Sequence, residues 1–359
     1  MSKISVFVTG GGTGGHLMPA IAICELLNAE FEPFLITDSR CENFIPKDIN
    51  FDYKIIELKR PKGIFGIFNF LNSLSKSLLE LYLLIKQKNP KAIITCGGYS
   101  SLPLMLLAII LRKKFILHEQ NAIVGKANYW FSYFADKLFL SFIHTVNLPI
   151  IDSSRFVWTG IPVRNAHRKN SNLDKAKSDS FKILVTGGSQ AAQFFDDIIP
   201  EAIKIVKAKN KDLKIEITQQ VRSRDEIELQ NFYKEIGAEA NLAKFFPNLD
   251  EIYPQIDLFI GRSGASTISE IINYSIASIL IPYPYAKQNH QYLNAKNLSE
   301  FGAAEIMEQK NISAEKISAI IEMAIKNPSK LDGFRNKLTQ LQIDTAKIIT
   351  AEIKKVIDK

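Results

Sequence analysis

The first half of the chain alternates short apolar runs with longer stretches of helical periodicity. The apolar runs are rich in β-branched and aromatic residues, which is typical of strands in a sheet. Because helices separate them, the strands are expected to lie parallel in a doubly wound α/β sheet. The predicted strands of this half are ISVFVTG, FLIT, YKIIEL, AIITCGG, KFILHEQ and KLFLSF.

The second half begins with the same order of predicted elements as the first half. FKILVTGGSQAAQ at 181–193 is similar to ISVFVTGGGTGGH at 4–16: each has a strand, a Thr-Gly-Gly turn and the start of a helix. Further strands are predicted at KIEIT, AKFF, LFIG and SILIPY, and residues 313–359 have amphipathic helical spacing. The pattern predicts two facing Rossmann-type domains. Their ligands are expected beyond the carboxyl ends of the strands, in a cleft between the domains.

The length of 359 residues is also more than one core usually holds and suits two domains. A polar stretch rich in Ser, Lys, Asp and Asn at 170–180 is predicted to link them. The predicted boundaries are 1–163 for the first domain and 164–340 for the second. A C-terminal helix at 341–359 is expected to pack back on the first domain.

Composition and charge indicate the compartment and the kind of partner. Three cysteines without metal-ligand spacing fit a reducing compartment. The chain starts with a predicted strand and not a signal peptide, and its longest apolar run, 102–111, is too short to span a bilayer. Residues 59–137 carry a basic excess of nine, whereas the whole chain carries +8. Such a basic segment favours an anionic surface or a phosphate-bearing partner.

The first glycine loop carries the clearest candidate chemistry. Its five glycines leave room for close approach of a ligand, and His16 follows them at the predicted start of a helix. The positive end of the helix dipole favours a neutral imidazole that can accept a proton. Two other interpretations stay open at this point. The loop also satisfies GxGxxG, with Asp38 where a ribose-binding acid of a dinucleotide site would lie, and His16 could be a capping or core residue.

The second half offers groups suited to a phosphorylated, ribose-bearing ligand. Backbone N–H groups of the second glycine loop and the Ser189 hydroxyl suit a phosphate. In GRSGASTISE, Arg262 supplies a cation, and Glu270 either accepts two ribose hydroxyls or caps the helix, three residues after Thr267. A proline-rich loop then presents Gln288, Asn289, His290 and Gln291, whose side chains can bond sugar hydroxyls.

Two further motifs end predicted strands of the first half. In HEQNA, Asn121 could reach the cleft, whereas His118 and Glu119 could equally form a buried structural pair. In CGGYSSLP, a third glycine turn precedes Ser100 and Ser101 and a very apolar helix.

Seven motifs in this order resemble the MurG family of bacterial peptidoglycan glycosyltransferases: GGGTGGH, GGYSSLP, HEQNA, GIPVRN, TGGSQ, GRSGASTISE and HQYLNA, between residues 10 and 295. The resemblance implies a GT-B fold with two facing Rossmann-type domains and an inverting, metal-independent transfer without a cofactor. The donor would be UDP-N-acetylglucosamine, held mainly by the second domain. The acceptor would be lipid I, bound by the first domain at the cytoplasmic face of the membrane, and the product lipid II.

The resemblance also implies residue roles. His16 matches the general base, Ser189 a phosphate ligand, and Glu270 the ribose ligand. The remaining matches to the donor site are Thr13, Gly14, Gly15, Asn121, Arg164, Phe246, Arg262, His290 and Gln291. Gly11, Gly12, Gly97, Gly98 and Tyr99 are expected to meet the acceptor pyrophosphate. Three positions depart from the family pattern: Ala191 and Leu102 stand where glycine is usual, and His290 stands where glutamine is commoner.

The segment 64–88 has two interpretations. Its apolar residues, among them Phe65, Phe68 and Leu71, are flanked by Lys and Arg, so it is either a patch that dips into anionic lipid or a buried helix with a charged rim. For the whole chain, the alternatives are another GT-B enzyme acting on UDP-sugars, such as a glycolipid glycosyltransferase or an epimerase, and a silent nucleotide-sugar-binding scaffold. Nucleic acid is not an expected partner, since no binding module is present.

Overall fold

The structure is a computed structural model that describes residues 3–61, 63–164, 179–188, 193–222 and 224–358. The chain divides into two compact units. The first unit comprises Met1–Arg168 together with Ile343–Lys359, and the second comprises Lys169–Gln342. Each unit is built on a parallel sheet with helices, which confirms the predicted class of two Rossmann-type α/β domains. Most of the predicted linker, 170–178, lies outside the described residues.

The first unit has a seven-stranded parallel sheet in the order β3-β2-β1-β4-β5-β6-β7. All six strands predicted for this half are present, and a short seventh follows them. The strands are β1 Ile4–Thr9, β2 Phe31–Asp38, β3 Asp52–Ile56, β4 Ala92–Thr95, β5 Lys114–Glu119, β6 Lys137–Leu140 and β7 Phe156–Trp158. The direction of strand addition reverses between β1 and β4. The helices that follow these two strands, α1 (Gly14–Leu27) and α3 (Leu102–Ile110), therefore lie on opposite faces of the sheet and leave a crevice at the strand ends, the usual ligand position in such sheets.

Helices cover both faces of this sheet, as its alternating side chains require. The helices of the unit are α1 Gly14–Leu27, α2 Gly63–Lys88, α3 Leu102–Ile110, α4 Lys126–Phe131 and α12 Thr345–Ile357. In β1, Val6 and Val8 lie in the core on one face, against α1 and α12, whereas Phe7 lies in the core on the other face, against α2 and α3.

The last helix belongs to the first unit although it follows the second in sequence. Ile349, Ile353 and Val356 of α12 are buried in the same core as α1. The charged flanks add an ion pair between Lys354 and Glu30. The segment that leads into this helix packs against Gly160. The φ of Gly160 is +70°, and a Cβ added there would lie 3.0 Å from Cδ1 of Ile343, so both features favour glycine.

The second unit has a six-stranded parallel sheet in the order β10-β9-β8-β11-β12-β13. The direction reverses between β8 and β11, so the loops after these strands open a second crevice. The strands are β8 Phe181–Thr186, β9 Ile215–Gln220, β10 Glu239–Ala243, β11 Leu258–Gly261, β12 Ser278–Leu280 and β13 Glu305–Ile306. The helices are α5 Gln193–Lys209, α6 Glu226–Glu235, α7 Leu249–Ile252, α8 Ala265–Tyr274, α9 His290–Glu300, α10 Ala314–Lys326 and α11 Pro328–Leu341.

One predicted strand is misplaced. AKFF was expected to form a strand, but β10 ends at Ala243, where its pairing with β9 ends at Gln220. Phe245 and Phe246 follow in a loop that leads to Pro247. Apolar character alone therefore places the end of this strand three residues too late, at Phe246 instead of Ala243, because the pairing register decides where β10 stops.

No helix in the described ranges combines the length and the apolar character needed to cross a bilayer. The long helix α2 spans 26 residues, but polar and basic residues interrupt its apolar positions.

Candidate active site

Two glycine loops of the first unit touch each other beside His16. Gly98 has a φ of +84°, and a Cβ at this position would lie 2.3 Å from the carbonyl oxygen of Gly11 and 3.1 Å from the His16 ring. Only glycine allows so close an approach. The loop after β1 and the loop after β4 are thus brought together at the crevice of this sheet. The five glycine and tyrosine residues predicted for the acceptor pyrophosphate all lie on these two loops: Gly11, Gly12, Gly97, Gly98 and Tyr99.

This close packing gives a direct test. Gly98→Ala is expected to lower the free energy of unfolding by at least ~2 kcal/mol, because its Cβ meets a backbone oxygen in a conformation that L residues avoid. Gly14→Ala is the matched control, since no atom lies within 4 Å of the added Cβ. It should be neutral or stabilising by up to ~1 kcal/mol, as alanine is in a helix. Urea unfolding measures both, and equal stability of the two variants would contradict the loop contact.

His16 is the third residue of α1, as predicted, and its side chain is half-buried. Its Nδ1 lies 2.9 Å from the carbonyl oxygen of Cys96 and 3.2 Å from Oε1 of Gln120. Thr13 precedes the helix with an extended backbone, and its exposed side chain makes no capping hydrogen bond. The start of α1 therefore presents an imidazole and a hydroxyl next to the glycine loops.

His118 and Glu119 of the HEQNA motif have structural roles. His118 is fully buried, and burial lowers its pKa to about 3, so the ring is neutral at physiological pH. The buried Glu119 carboxylate accepts hydrogen bonds from the backbone N–H groups of Asn121 and Gly125 and from Asn128 Nδ2. Each residue therefore has its own partners. Together they fix the loop that carries Asn121 at the end of β5.

Asp38 does not resemble a free ribose-binding acid. Its carboxylate, only 1% exposed, is held by Nε of Arg40 at 2.8 Å and by Nη2 of Arg40 at 3.0 Å. Those hydrogen bonds hold the pKa of Asp38 below its usual value despite burial. The internal ion pair removes the observation that favoured a dinucleotide site.

Arg164 lies in the first unit, although the predicted boundary assigned it to the second. Its Nε donates to Glu25 Oε1 at 2.8 Å, and its Nη2 lies 3.2 Å from Asp48. Glu25 belongs to α1, so these ion pairs fasten the segment after β7 to the helix that carries His16.

In the second unit, Glu270 has an environment suited to binding rather than capping. The capping interpretation is wrong, because α8 begins at Ala265 after Gly264 and makes no side-chain cap. Glu270 lies in the second turn and accepts a 2.5 Å hydrogen bond from the buried Tyr253 hydroxyl. Burial raises the pKa of Glu270 to about 7, although the Tyr253 hydrogen bond opposes the shift. Perturbed carboxyls of this kind are concentrated at functional sites.

Arg262 is engaged inside the second unit. Its Nη1 donates to the backbone oxygen of Ile281 at 2.9 Å, and its Nη2 donates to Gln309 Oε1 at 2.7 Å. Burial lowers its pKa to about 10, and its guanidinium lies 5.1 Å from the centre of the Phe195 ring. The predicted ligand cation thus serves mainly to join the loops after β11 and β12.

Ser263 connects the other candidate groups of this unit. Its hydroxyl donates to the backbone oxygen of Gln291 at 2.8 Å, so the loop before α8 and the start of α9 lie together. Gln291 Oε1 accepts from the backbone N–H of Tyr283, and His290 Nδ1 contacts the backbone oxygen of Lys287. The structure therefore brings together the motifs that carry Glu270, His290 and Gln291.

The remaining donor positions are only partly described. Phe246 is half-buried in the loop after β10. Ser189 and Ala191 lie outside the described residues, whereas Gly188 just before them has a φ of +76°. In the part of the chain that the structure describes, no three His, Cys, Asp or Glu side chains are grouped to hold a metal ion.

Sequence reasoning missed three residues that hold these groups: Gln120, Ser263 and Tyr253. Gln120 and Ser263 stand inside quoted motifs, but nothing in their spacing says which atoms they contact. Tyr253 lies 17 residues before Glu270, outside any motif, so only the tertiary structure reveals the pair.

Each unit has the parallel α/β sheet expected of a GT-B glycosyltransferase, and the family comparisons identify this class of enzyme. The glycosyltransferase family 28 N-terminal domain model matches residues 6–140, and the C-terminal domain model matches residues 182–348.

Relatives that span the whole chain define the family more narrowly. Proteins named UDP-N-acetylglucosamine--N-acetylmuramyl-(pentapeptide) pyrophosphoryl-undecaprenol N-acetylglucosamine transferase are 38% identical in Rickettsia bellii and 36% identical in Rickettsia canadensis; each match covers 98% of this chain and 99% of the relative. The crystal structure of Acinetobacter baumannii MurG aligns with a TM-score of 0.77 at 25% identity, covering 98% of this chain and 99% of the other. This chain belongs to the MurG family of glycosyltransferases.

A Staphylococcus aureus MnaA–UDP structure aligns at 13% identity with a TM-score of 0.65, covering 99% of this chain and 97% of the other, and shows a shared fold only.

Proposed function

We propose that this enzyme transfers N-acetylglucosamine from UDP-N-acetylglucosamine to the C4 hydroxyl of the muramyl sugar of lipid I, giving lipid II and UDP. The observation that carries the proposal is family membership over 98% of the chain, joined to a histidine at the contact of two glycine loops. The first unit would bind the acceptor and the second unit the donor.

For the donor, we assign Glu270 to the ribose hydroxyls and the backbone near Phe246 to the uracil. The loop with Gly188 and Ser189 would hold the diphosphate, and His290 and Gln291 the sugar hydroxyls. Glycine-loop N–H groups followed by a helix start suit a phosphate, which supports this assignment. We also assign to the donor sugar five residues of the first unit: Thr13, Gly14, Gly15, Asn121 and Arg164. Arg262 enters as a positioning residue, since its guanidinium is bonded internally.

For the acceptor, we assign the pyrophosphate to the paired loops that carry Gly11, Gly12, Gly97, Gly98 and Tyr99. Glycine at φ values of +83° and +76°, at Gly12 and Gly97, leaves backbone groups open to close approach. The Tyr99 hydroxyl donates to the Lys59 carbonyl oxygen, which ties this loop to the basic segment before α2.

The proposed chemistry is a single displacement with inversion. His16 takes the proton of the acceptor hydroxyl while that oxygen attacks C1 of the donor sugar. The bond from C1 to the diphosphate oxygen breaks, and its electron pair leaves with UDP. Loop N–H groups and a helix N-terminus would stabilise the developing charge of UDP without a metal ion. The imidazolium then releases its proton to water.

The direct test is to incubate the protein with labelled UDP-N-acetylglucosamine and a soluble lipid I analogue. Acceptor-dependent release of UDP, with the label in the acceptor, is the expected result. Two further incubations, one without acceptor and one with a diacylglycerol acceptor, test for epimerisation of the donor and for a glycolipid transferase. Activity in either of them, with none on the lipid I analogue, would overturn the proposal.

We further propose that α2 carries a membrane-contacting patch, made of Ile67, Phe68, Leu71, Leu79, Tyr82 and Leu83. These residues are exposed, and their spacing of three or four places most of them on one helix face. Lys76 and Lys86 of the same helix are exposed, and Lys59 and Arg60 precede it. An apolar face with basic neighbours is suited to anionic lipid and supports a peripheral position at the cytoplasmic face of the membrane.

Phe68→Glu is expected to lower partitioning onto vesicles with anionic lipid by roughly tenfold or more, because one inserted phenylalanine contributes about 1.5–3 kcal/mol. Sedimentation with the vesicles measures the partitioning. Ile227→Glu in α6 is the matched control, since Ile227 is 73% exposed and Phe68 is 74% exposed. A similar loss in both variants, or in neither, would refute a specific patch on α2.

A further inference from the structure

Gln120 is a buried polar side chain next to the candidate base, and it takes no direct part in the proposed sugar transfer. It directly follows β5 and is fully buried. Its side chain reaches across to α1, where Oε1 lies 3.2 Å from His16 Nδ1. A buried amide has to satisfy its donors and its acceptor, so its partners show what it does.

The hydrogen bonds of Gln120 fix which end of the amide faces His16. Its Nε2 donates to the backbone oxygens of Cys96 and, at 3.1 Å, of His118. Both partners are carbonyl oxygens, which can only accept, so the NH₂ group has to face them. The amide oxygen is therefore the atom presented to the imidazole.

His16 Nδ1 consequently meets acceptors only. The Cys96 carbonyl oxygen lies 2.9 Å away and Gln120 Oε1 lies 3.2 Å away. A nitrogen between two acceptors carries the hydrogen, and in a neutral ring the other nitrogen then keeps its lone pair. Nε2 is thus the basic atom.

We propose that Gln120 is a positioning residue that holds His16 in the Nδ1–H tautomer, so that Nε2 can accept the proton of the acceptor hydroxyl. The inference rests on the proposed transferase function, which it deepens. Gln120 contributes two hydrogen bonds to this arrangement. Its Oε1 accepts from Nδ1–H of His16, and its Nε2 donates to the Cys96 carbonyl oxygen, which accepts from the same Nδ1–H.

The two groups that hydrogen-bond the His16 ring, the Cys96 carbonyl and the Gln120 amide, are both uncharged. His118, which follows Gln120 in the network, is fully buried and has a pKa lowered by burial to about 3, so it stays neutral. Glu119 turns its carboxylate to backbone N–H groups and Asn128. Within the described ranges, no carboxylate forms a hydrogen bond with His16. A neutral amide sets the tautomer without the extra imidazolium stabilisation that a carboxylate would add.

The test compares Gln120→Met, which keeps the chain length but removes both amide functions, with the wild type. Protein labelled with ¹⁵N-histidine reports by NMR which imidazole nitrogen of His16 is protonated, and the chain has only five histidines to assign. We expect Nδ1–H in the wild type, and a larger Nε2–H fraction in the variant. We also expect kcat to fall by ~10–100-fold with the KM for the donor unchanged, as is usual when a supporting residue is removed.

Gln219→Met is the matched control. Gln219 is also fully buried, accepts from the Tyr233 hydroxyl and donates to the Phe195 carbonyl oxygen, but it lies in the second unit. It should lower thermal stability without changing the His16 spectrum.

Two results would overturn the inference: an Nε2–H tautomer in the wild type, or a loss of kcat in Gln120→Met with an unaltered tautomer. The spectra need no substrate, so they test the tautomer even if the protein fails to transfer sugar to lipid I. Failure of the transfer assay alone would count against the proposed function.

Discussion

Replacing His16 with alanine is expected to lower kcat by ~10²–10⁴-fold while leaving UDP affinity within about twofold. The size of the effect is that of a general base, whose removal leaves binding and leaving-group stabilisation intact. We expect the loss to affect kcat and not UDP affinity because His16 lies in the first unit, whereas the groups proposed to bind the ribose lie in the second. Steady-state kinetics with a lipid I analogue gives kcat, and titration calorimetry gives the affinity for UDP.

His144→Ala is the matched control for this result. His144 is an exposed histidine of the same unit, in the segment after β6. Its removal should change kcat by less than about twofold. If His16→Ala weakened UDP binding as much as it lowered kcat, His16 would be a donor ligand and not the base.

The strands and the glycine loops were predictable from sequence because they depend on local rules. In β1 the alternation of Val6, Phe7 and Val8 matches the period of a pleated strand, and the structure buries the two kinds of side chain on opposite faces. The loop before His16 follows a strand and leads into a helix, so its position at the carboxyl ends of the strands follows from the parallel topology.

Other features depend on contacts that sequence does not encode locally. The end of β10 is set by where β9 stops pairing, so apolar Phe245 and Phe246 were placed wrongly in a strand. A cation at Arg262 suggested a ligand contact, but only packing shows that carbonyl oxygens and aromatic rings surround it. In the same way, Thr267 and Glu270 have capping-box spacing, yet the helix starts at Ala265. For the end of β10 and for Arg262, a distant segment decides the role of the residue.

Glu270→Gln is expected to weaken UDP binding by ~30-fold or more at pH 8, because a charged acceptor of two ribose hydroxyls is replaced by a neutral amide. Wild-type affinity itself should depend on pH. With a pKa of about 7, the free carboxyl is largely protonated at pH 6 and has to lose its proton to accept both hydroxyls. Affinity should therefore fall towards tenfold per pH unit below 7, with proton release on binding, and Glu270→Gln should abolish this dependence.

Calorimetry in two buffers of different ionisation enthalpy measures the released proton. Glu300→Gln serves as the control, since Glu300 lies on α9 in an exposed ion pair with Lys296. It should keep both the affinity and the proton release of the wild type. Unchanged UDP affinity in Glu270→Gln would leave the carboxyl without a donor role.

Glu270→Gln should also stabilise the second unit, with the full effect only at pH values above about 7, the pKa of Glu270 in the folded protein. The carboxyl titrates near 4.5 when unfolded and near 7 when folded, so between these values the folded state holds a proton that the unfolded state lacks. Folded wild type consequently loses stability as pH rises from 4.5 to 7, and the loss is complete above 7. Glutamine does not titrate, so it causes no such loss. The free energy of unfolding of Glu270→Gln should therefore exceed that of the wild type by about 1–3 kcal/mol at pH 8 and equal it at pH 4.5.

Denaturant titrations at both pH values measure this difference. A variant that is less stable than the wild type at pH 8 would mean that Tyr253 and Glu270 form a structural pair. A gain in stability together with a loss of UDP binding would instead show that the buried carboxyl is kept for the ligand.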